Sequence, residues 1–382
     1  MTSRCWKSTQ FPRIPRFLIS LAVLAVLLLR GGSSARAQSQ SLPLPTPLTT
    51  ITGVPTPAAD AFLTSLRYGP DGLLYAWDGA AVWKQSGINS NGFNQIGTIS
   101  TAGADAGPIN FSQSGSTILV SNGFGGFAGG SSNGLLFAIP ATGGNATTPL
   151  GTVLNNFDLI PVPVSSGLAN SSTKFYVDSS DGGSGSVVSI FDDRSGGSNV
   201  PIITGIPGAS TSLAFNTQNH RLYVGVGFGA DQGEIKSFAL SVLDAAYNGT
   251  PLDYNSQGLL FNGPDANNSG SGMFFDARGD LFTAGANGLE VLSPSGQSWL
   301  YSTGANNFAE TFYNPTNDEL ALFTAGDGID PNPFPNPMIF NASQFAVVPE
   351  PATGALALVG GGLLLAYARY RKRLKRRRGN TI

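Results

Sequence analysis

Between residues 58 and 345 the hydrophobic and polar positions form a unit that recurs six times. Each copy is a short apolar strand, a polar turn and a second strand of β-branched and aromatic residues, often followed by a third strand. The turns are centred near residues 71, 115, 172, 218, 278 and 317. This is the spacing of four-stranded blades. The pattern therefore predicts an all-β domain and favours a six-bladed β-propeller over the alternatives, a β-sandwich or a β-solenoid.

The first copy has the clearest turn, Gly69-Pro70-Asp71-Gly72, between the apolar segments 62–68 and 73–77. The other copies occupy residues 109–139, 157–191, 211–238, 272–292 and 309–340. Residues 48–51 are expected to add a strand to the last copy, because closing the ring would remove an exposed sheet edge. The proline-rich segment 38–57 as a whole is predicted to be an extended linker.

The sequence from Tyr68 to Tyr75 resembles the turn pattern of NHL, SMP-30-like and related six-bladed propellers. The resemblance extends loosely over residues 58–345 and implies the propeller fold. SMP-30-like hydrolases bind a metal through acidic and Asn side chains at the propeller centre, but their motif positions have no residue-by-residue match here. The resemblance therefore gives a metal-assisted hydrolase or lactonase, with carboxylate ligands in the central channel, only as an alternative function.

The chain ends in a short apolar stretch with a Pro-Glu-Pro motif before it and basic residues after it. Residues 352–368 would form a helix of about 25 Å, near the lower limit for crossing a hydrocarbon core of about 30 Å. The motif is Pro349-Glu350-Pro351. The basic residues are Arg369, Arg371, Lys372, Arg373, Lys375, Arg376, Arg377 and Arg378. Because basic flanks stay in the cytoplasm, the sequence predicts one C-terminal transmembrane helix with the preceding residues outside.

This three-part tail, residues 348–378, resembles the PEP-CTERM sorting domain of exopolysaccharide-producing bacteria, also called an ice-binding protein C-terminal domain. The resemblance implies that an exosortase, a membrane-embedded protease, recognises Pro349, Glu350 and Pro351 and cuts near them. The precursor would be held in the inner membrane before the rest of the chain reaches the cell surface or the extracellular matrix. The alternative is an ordinary C-terminal anchor that is retained.

The first residues have the features of a signal peptide. Four basic residues precede the apolar run 17–29, which is shorter than the roughly 20 residues of a membrane-spanning helix. Ala35-Arg36-Ala37 offers a cleavage site through Ala35 and Ala37. We therefore predict a signal peptide over residues 1–37 and export across the bacterial inner membrane. Cys5, the only cysteine, would leave with it, so no disulfide or thiol nucleophile would remain.

Removing both targeting segments changes the charge balance. The whole chain has a formal net charge of −2. Residues 38–348 contain seven basic and 22 acidic residues, and their net charge is −15. Such an acidic domain disfavours nucleic acid and anionic lipid as partners. We therefore expect no nucleic-acid binding.

Candidate catalytic groups are few. His220 is the only histidine, so a His-based zinc cluster is excluded, and a Ser-His-Asp triad would have to use this predicted turn residue. The Asp-rich segments 178–183, 192–193 and 327–330 could supply oxygen ligands to Ca²⁺. None has the EF-hand spacing, and tight turns select the same residue types. We therefore predict no catalytic residue and no cofactor, with calcium as the open alternative.

The targeting signals and the missing catalytic groups together indicate a class of function. They predict an exported, exosortase-sorted protein of the cell surface or extracellular matrix. Its propeller, residues 58–345, is expected to be non-catalytic and to bind matrix polysaccharide or a surface protein through its loops.

Overall fold

The computed structural model describes residues 40–56, 65–99, 106–122, 134–153, 155–180, 186–194, 199–228, 233–260, 272–285, 288–302, 308–324 and 336–345, with Tyr367 and Arg369. The predicted signal peptide with Ala35 and Ala37 lies outside these residues. So do the Pro-Glu-Pro motif and the tail apart from the exposed Arg369. In this described part of the chain, no helix is long and apolar enough to cross a membrane.

The described strands form six sheets. Two short strands come first, β1 (Gln40–Pro43) and β2 (Thr49–Thr50). Blade 1 contains β3 (Leu66–Tyr68), β4 (Leu74–Trp77), β5 (Ala81–Gln85) and β6 (Phe93–Ile99). Blade 2 contains β7 (Ala106–Phe111), β8 (Thr117–Asn122) and β9 (Leu135–Pro140) and, after the separate strand β10 (Gly144–Ala146), β11 (Gly151–Thr152). Blade 3 contains β12 (Leu159–Pro161), β13 (Lys174–Ser180), β14 (Ser186–Asp192) and β15 (Asn199–Ile206).

The second half repeats this plan. Blade 4 contains β16 (Ala209–Asn216), β17 (Arg221–Phe228) and β18 (Ile235–Ala239) and, after helix α1 (Leu240–Tyr247), strand β19 (Leu252–Asp253) and helix α2 (Tyr254–Gln257), the outer strand β20 (Leu259–Leu260). Blade 5 contains β21 (Gly272–Phe275), β22 (Leu281–Gly285), β23 (Gly288–Leu292) and β24 (Ser298–Ser302). Blade 6 contains β25 (Phe308–Asn314), β26 (Glu319–Thr324), β27 (Met338–Asn341) and, at its outer edge, β2.

The first strands of the blades surround a common axis. Each first strand contacts those of both neighbouring blades, in the order β3, β7, β12, β16, β21, β25 and back to β3. Within each blade the strands are antiparallel hairpins. The prediction of an all-β six-bladed propeller is confirmed, and all six predicted strand-turn-strand units correspond to blades.

The ring is closed by the N-terminal segment. Strand β2 pairs antiparallel with β27, so that Thr49 lies opposite Ile339 and Thr50 opposite Met338. This confirms the strand expected at residues 48–51. The prediction of an extended linker over residues 38–57 does not hold for the start of this segment. Strand β1 joins blade 5, where it pairs parallel with β24. An outermost strand bonds on one side only, so it tolerates the prolines that suggested a linker.

Most of the core lies between neighbouring blades. Buried clusters join blade 1 to blades 2 and 6, and further clusters join blades 2 and 3, 3 and 4, 4 and 5, and 5 and 6. The Trp77 indole of blade 1 also donates a hydrogen bond to the Ser121 carbonyl of blade 2, at 2.8 Å. Helix α1, which the sequence did not predict, buries Leu240, Leu243 and Ala246 beside β15 and β18. The blades therefore hold one another by apolar contact.

Candidate functional site at the propeller axis

The two ends of the propeller differ in their connections. The end that we call the turn face carries the connections between the first and second strands of the blades. These are residues 69–73, 112–116, 162–173, 217–220, 276–280 and 315–318. At the opposite end, the loop face, each first strand begins and each second strand ends. Propellers often hold ligands at the axis that runs between the two faces.

Among the described residues, Arg67 extends across the axis. Arg67 lies on β3 of blade 1, and its Nη2 donates to Asp158 Oδ1 of blade 3 at 2.6 Å. Its Nε donates to the Ile109 carbonyl of blade 2 at 3.4 Å. The guanidinium also lies over the Phe312 ring of blade 6, 4.6 Å from the ring centroid. One side chain therefore contacts three other blades.

Asp158 completes this connection at the start of β12. Its Oδ2 accepts a hydrogen bond from the Leu213 amide of blade 4 at 2.9 Å, and Oδ1 also accepts one from the Leu159 amide at 2.8 Å. The residue is 3% exposed. Burial raises the pKa of Asp158, while Arg67 and the two amides act in the opposite direction. Both carboxylate oxygens are thus used to join blades 1, 3 and 4.

A second buried carboxylate supports the first. Asp178 Oδ1, near the end of β13, accepts hydrogen bonds from the amides of Phe157 and Asp158, at 3.0 and 2.8 Å. Asn156 Nδ2 donates to the carbonyls of Asp158 and Asp178, at 2.8 and 2.7 Å. Asn155 turns the chain here with a left-handed φ of 39°, which Asn tolerates better than most residues. These bonds fix the backbone that presents Asp158 to the axis.

The chemistry available at the axis follows from this ion pair. The described residues include no group of three or more His, Cys, Asp or Glu side chains that could hold a metal ion. The charge of Asp158 is matched by a guanidinium, which stays protonated at any physiological pH. A cation brought to this carboxylate would have to displace or approach Arg67. The arrangement is suited to joining blades.

The structure separates the Asp residues proposed for calcium. Asp178 and Asp192 lie toward opposite ends of the β13–β14 hairpin. Asp192 accepts hydrogen bonds from Lys174 Nζ and Arg194 Nε, both at 2.8 Å. Burial alone would raise the pKa of Asp192, but the hydrogen bonds from Arg194 and Lys174 outweigh it and hold the pKa well below its usual range. Asp181, Asp327 and Asp330 lie outside the described residues.

His220 is a turn residue, as predicted. It is exposed, at the turn face of blade 4, and its carbonyl accepts the Leu240 amide at 2.9 Å. Each turn-face connection holds one left-handed residue: Gly72, Gly115, Asn170, His220, Gly279 and Asp318. Histidine is among the residue types that tolerate this conformation. Backbone geometry therefore accounts for the position of His220.

Sequence reasoning did not identify Arg67 and Asp158. The available signal was a charge inside an apolar strand, Leu66-Arg67-Tyr68, in a domain with only seven basic residues. Its partner is 91 positions away along the chain, and no local pattern joins the two.

Comparison with known proteins gives a match for the C-terminal tail and similar folds for the propeller. Residues 347–372 match the PEP-CTERM protein-sorting motif. This motif is recognised by exosortase, a membrane enzyme, and implies export and membrane-anchored processing to the cell surface. No curated protein matches the chain. The chain therefore combines a β-propeller with a sorting motif that implies export.

Solved structures with a similar fold include sugar-lactone enzymes. A protein proposed to be a gluconolactonase is 12% identical, with a TM-score of 0.50, and the match covers 77% of this chain and 93% of that one. A gluconolactonase of Xanthomonas campestris is 14% identical, with a TM-score of 0.49 and coverage of 76% and 87%. Regucalcin, a calcium-binding protein of Agrobacterium tumefaciens, is 13% identical, with a TM-score of 0.48 and coverage of 78% and 95%. At such low identity the likeness concerns the fold alone.

Proposed function

We propose that the chain is an exosortase-sorted surface protein whose propeller is a non-catalytic binding module for matrix polysaccharide or a surface protein. The observation that carries the non-catalytic part is the Arg67–Asp158 ion pair. It crosses the axis, where a metal-assisted hydrolase would need free carboxylates. The sorting part rests on the PEP-CTERM motif at residues 347–372.

The position of the last described propeller residues supports an orientation for this module. The Ala342 amide donates to the Asp318 carbonyl at 2.8 Å, and Arg278 Nη2 donates to the Ala342 carbonyl at 3.2 Å. Asp318 and Arg278 both belong to turn-face connections. Phe345 is fully buried, and Pro349 follows four residues later, a distance of at most about 14 Å. In the membrane-held precursor, the turn face is toward the membrane and the loop face is turned away.

The composition of the loop-face connections fits a binding role. The longest are residues 123–133, 261–271 and 325–335, and they are rich in Gly, Asn, Asp and Phe. Amides can donate and accept hydrogen bonds with sugar hydroxyls, and aromatic rings offer flat apolar surfaces. The net charge of −15 over residues 38–348 disfavours a polyanionic ligand. A neutral polysaccharide or a protein is the better partner for this surface.

Mass spectrometry of the surface protein tests the sorting part. In exosortase-positive cells the wild-type protein is expected to lack the tail, and replacement of Pro349-Glu350-Pro351 by three alanines should leave it intact through Ile382. An intact tail in both proteins would show an ordinary anchor instead.

A lactone-hydrolysis assay with added Ca²⁺ or Zn²⁺ tests the non-catalytic part. We expect the full-length protein to give no hydrolysis above buffer. Metal-dependent hydrolysis by the wild-type protein that is abolished by EDTA and restored by the metal would establish the lactonase alternative.

A further inference from the structure

A groove between blades 4 and 5 is independent of the axis and of the loop face. It opens beside three turns, residues 216–220, 276–280 and 293–297, and has a volume of about 550 Å³. Sites for small ligands usually have about 300 to 1,000 Å³. The groove is therefore large enough for a short segment of a larger ligand.

An aromatic pair forms one wall of the groove. The rings of Tyr223 on β17 and Phe275 on β21 lie 4.8 Å apart at 59°. Asn219 Nδ2 donates to the Tyr223 hydroxyl at 2.9 Å, which fixes the amide beside the ring. Phe275 is only partly buried. An apolar ring and an oriented amide thus face the same space.

The polar lining is made of amides and hydroxyls. Asn216, Gln218, Asn219 and Ser293 line the groove, and its described lining includes no charged side chain. Gln218 Nε2 donates to the Ala277 carbonyl of blade 5 at 3.3 Å. Its Oε1 occupies the space over Gly279, where a β-carbon would come within 2.5 Å of it. Gly279, with φ +85°, therefore provides the room in which this amide lies along the groove.

We propose that this groove binds a neutral saccharide segment. The C–H face of a sugar ring packs against aromatic side chains, and its hydroxyls both donate and accept hydrogen bonds, as amides do. A charged sugar would have to leave water without meeting an opposite charge among these lining residues, which is costly. The proposal rests on the proposed function in one respect, namely that matrix glycans surround the mature protein.

Calorimetric titration of the full-length protein in detergent micelles tests the site. The probes are two neutral hexasaccharides, laminarihexaose and cellohexaose, and an acidic alginate hexasaccharide. We expect at least one neutral probe to bind and the acidic probe to bind at least tenfold more weakly. The double variant Gln218→Ala with Asn219→Ala should weaken the neutral probe at least tenfold.

Gln113→Ala is the matched control. Gln113 lies in the corresponding turn of blade 2, and its Nε2 donates to the Val162 carbonyl of blade 3 at 3.0 Å. The substitution removes the same kind of bond between blades but leaves the groove untouched, so affinity should be unchanged. Equal weakening by Gln113→Ala, a preference for the acidic probe, or no binding of either neutral probe would overturn the proposal.

A loop-face variant separates this site from the proposed function. Replacing residues 123–133 by a short turn should leave hexasaccharide affinity unchanged, even where it abolishes attachment to native matrix polysaccharide. Loss of hexasaccharide binding in that variant would place the site at the loop face and contradict the groove. Retained tail residues would contradict sorting without affecting the titration.

Discussion

The two faces of the propeller are built in different ways. At the turn face, side chains join one blade to the next through backbone carbonyls: Asn314 to Gly72, Gln113 to Val162, Gln218 to Ala277 and Arg278 to Ala342. At the loop face, antiparallel strand ends such as Asn122 and Leu135 lie side by side, although twelve residues, 123–134, lie between them in sequence. Blades also bond to each other near the loop face, where the Trp77 indole donates to the Ser121 carbonyl. The faces therefore differ chiefly in the length of their connections, and the long loop-face connections can vary in sequence without disturbing the blades.

The largest loss of stability is expected from breaking the Arg67–Asp158 ion pair at the axis. Arg67→Ala leaves the Asp158 carboxylate buried without its cation, and breaking a buried pair in this way costs about 3 to 5 kcal/mol. Urea denaturation of the purified protein measures the loss. Lys84→Ala is the control, because the Lys84–Asp71 pair is 33% and 35% exposed and should contribute at most about 1 kcal/mol. Equal losses in the two variants would mean that the axis does not join the blades.

The charge cluster around Asp192 should make the turn face sensitive to acid. Asp192→Asn removes charged hydrogen bonds to Lys174 and Arg194, and we expect a loss of about 2 kcal/mol at pH 7. Because the pKa of Asp192 is depressed in the fold, its contribution is complete above the unfolded value of about 3.9. It is lost as the pH falls further through the folded pKa. Unfolding free energies from pH 7 to pH 2 should therefore converge for the two proteins; a constant gap would contradict the assignment.

A bond between blades at the turn face is expected to contribute less. Asn314→Ala removes the hydrogen bond to the Gly72 carbonyl, 3.1 Å long, at the junction of blades 6 and 1. Leaving buried groups without that partner costs about 1 to 3 kcal/mol. Asn317→Ala, in the same turn, loses only a 3.4 Å contact to Glu319 and should stay within about 0.5 kcal/mol. If the two variants unfold alike, the bonds at this face do not hold the ring.

The blades could be predicted from the sequence because each strand-turn-strand pattern is local. Leu73 to Trp77 and Arg221 to Gly225 each follow a turn whose residue types are required by its backbone, and this pattern is visible within ten residues. The axis could not be predicted, because Arg67 and Asp158 meet only when the ring closes. The groove likewise joins Tyr223 of blade 4 to Phe275 of blade 5. Outer strands such as β1 were missed because pairing on one side leaves little pattern.

A smaller change in stability is expected from shortening a loop-face connection. Asn122 lies directly opposite Leu135, so a turn of a few residues can replace 123–133 while Gly134 is kept. Loop-closure entropy changes by only about 0.6 kcal/mol for each doubling of length, and stability should change by about 1 kcal/mol or less. Urea denaturation checks this. A loss as large as that of Arg67→Ala would show that the loop face also stabilises the ring.

The smallest change in stability is expected from replacing His220, the only histidine. His220→Ala changes an exposed side chain at a φ of 54°, which histidine tolerates somewhat better than alanine. As at other surface positions, stability should stay within about 0.5 kcal/mol. The backbone bond from Leu240 to the His220 carbonyl is unaffected by the substitution. Gly72→Ala is the contrasting variant, because it forces a β-carbon into a left-handed position, φ +75°, that glycine occupies freely, at a cost of about 1 kcal/mol or more. Urea denaturation and saccharide titration of both variants check this. His220 is not among the residues that line the groove, so His220→Ala should also keep saccharide affinity. Loss of binding with stability intact would show that the histidine takes part in recognition.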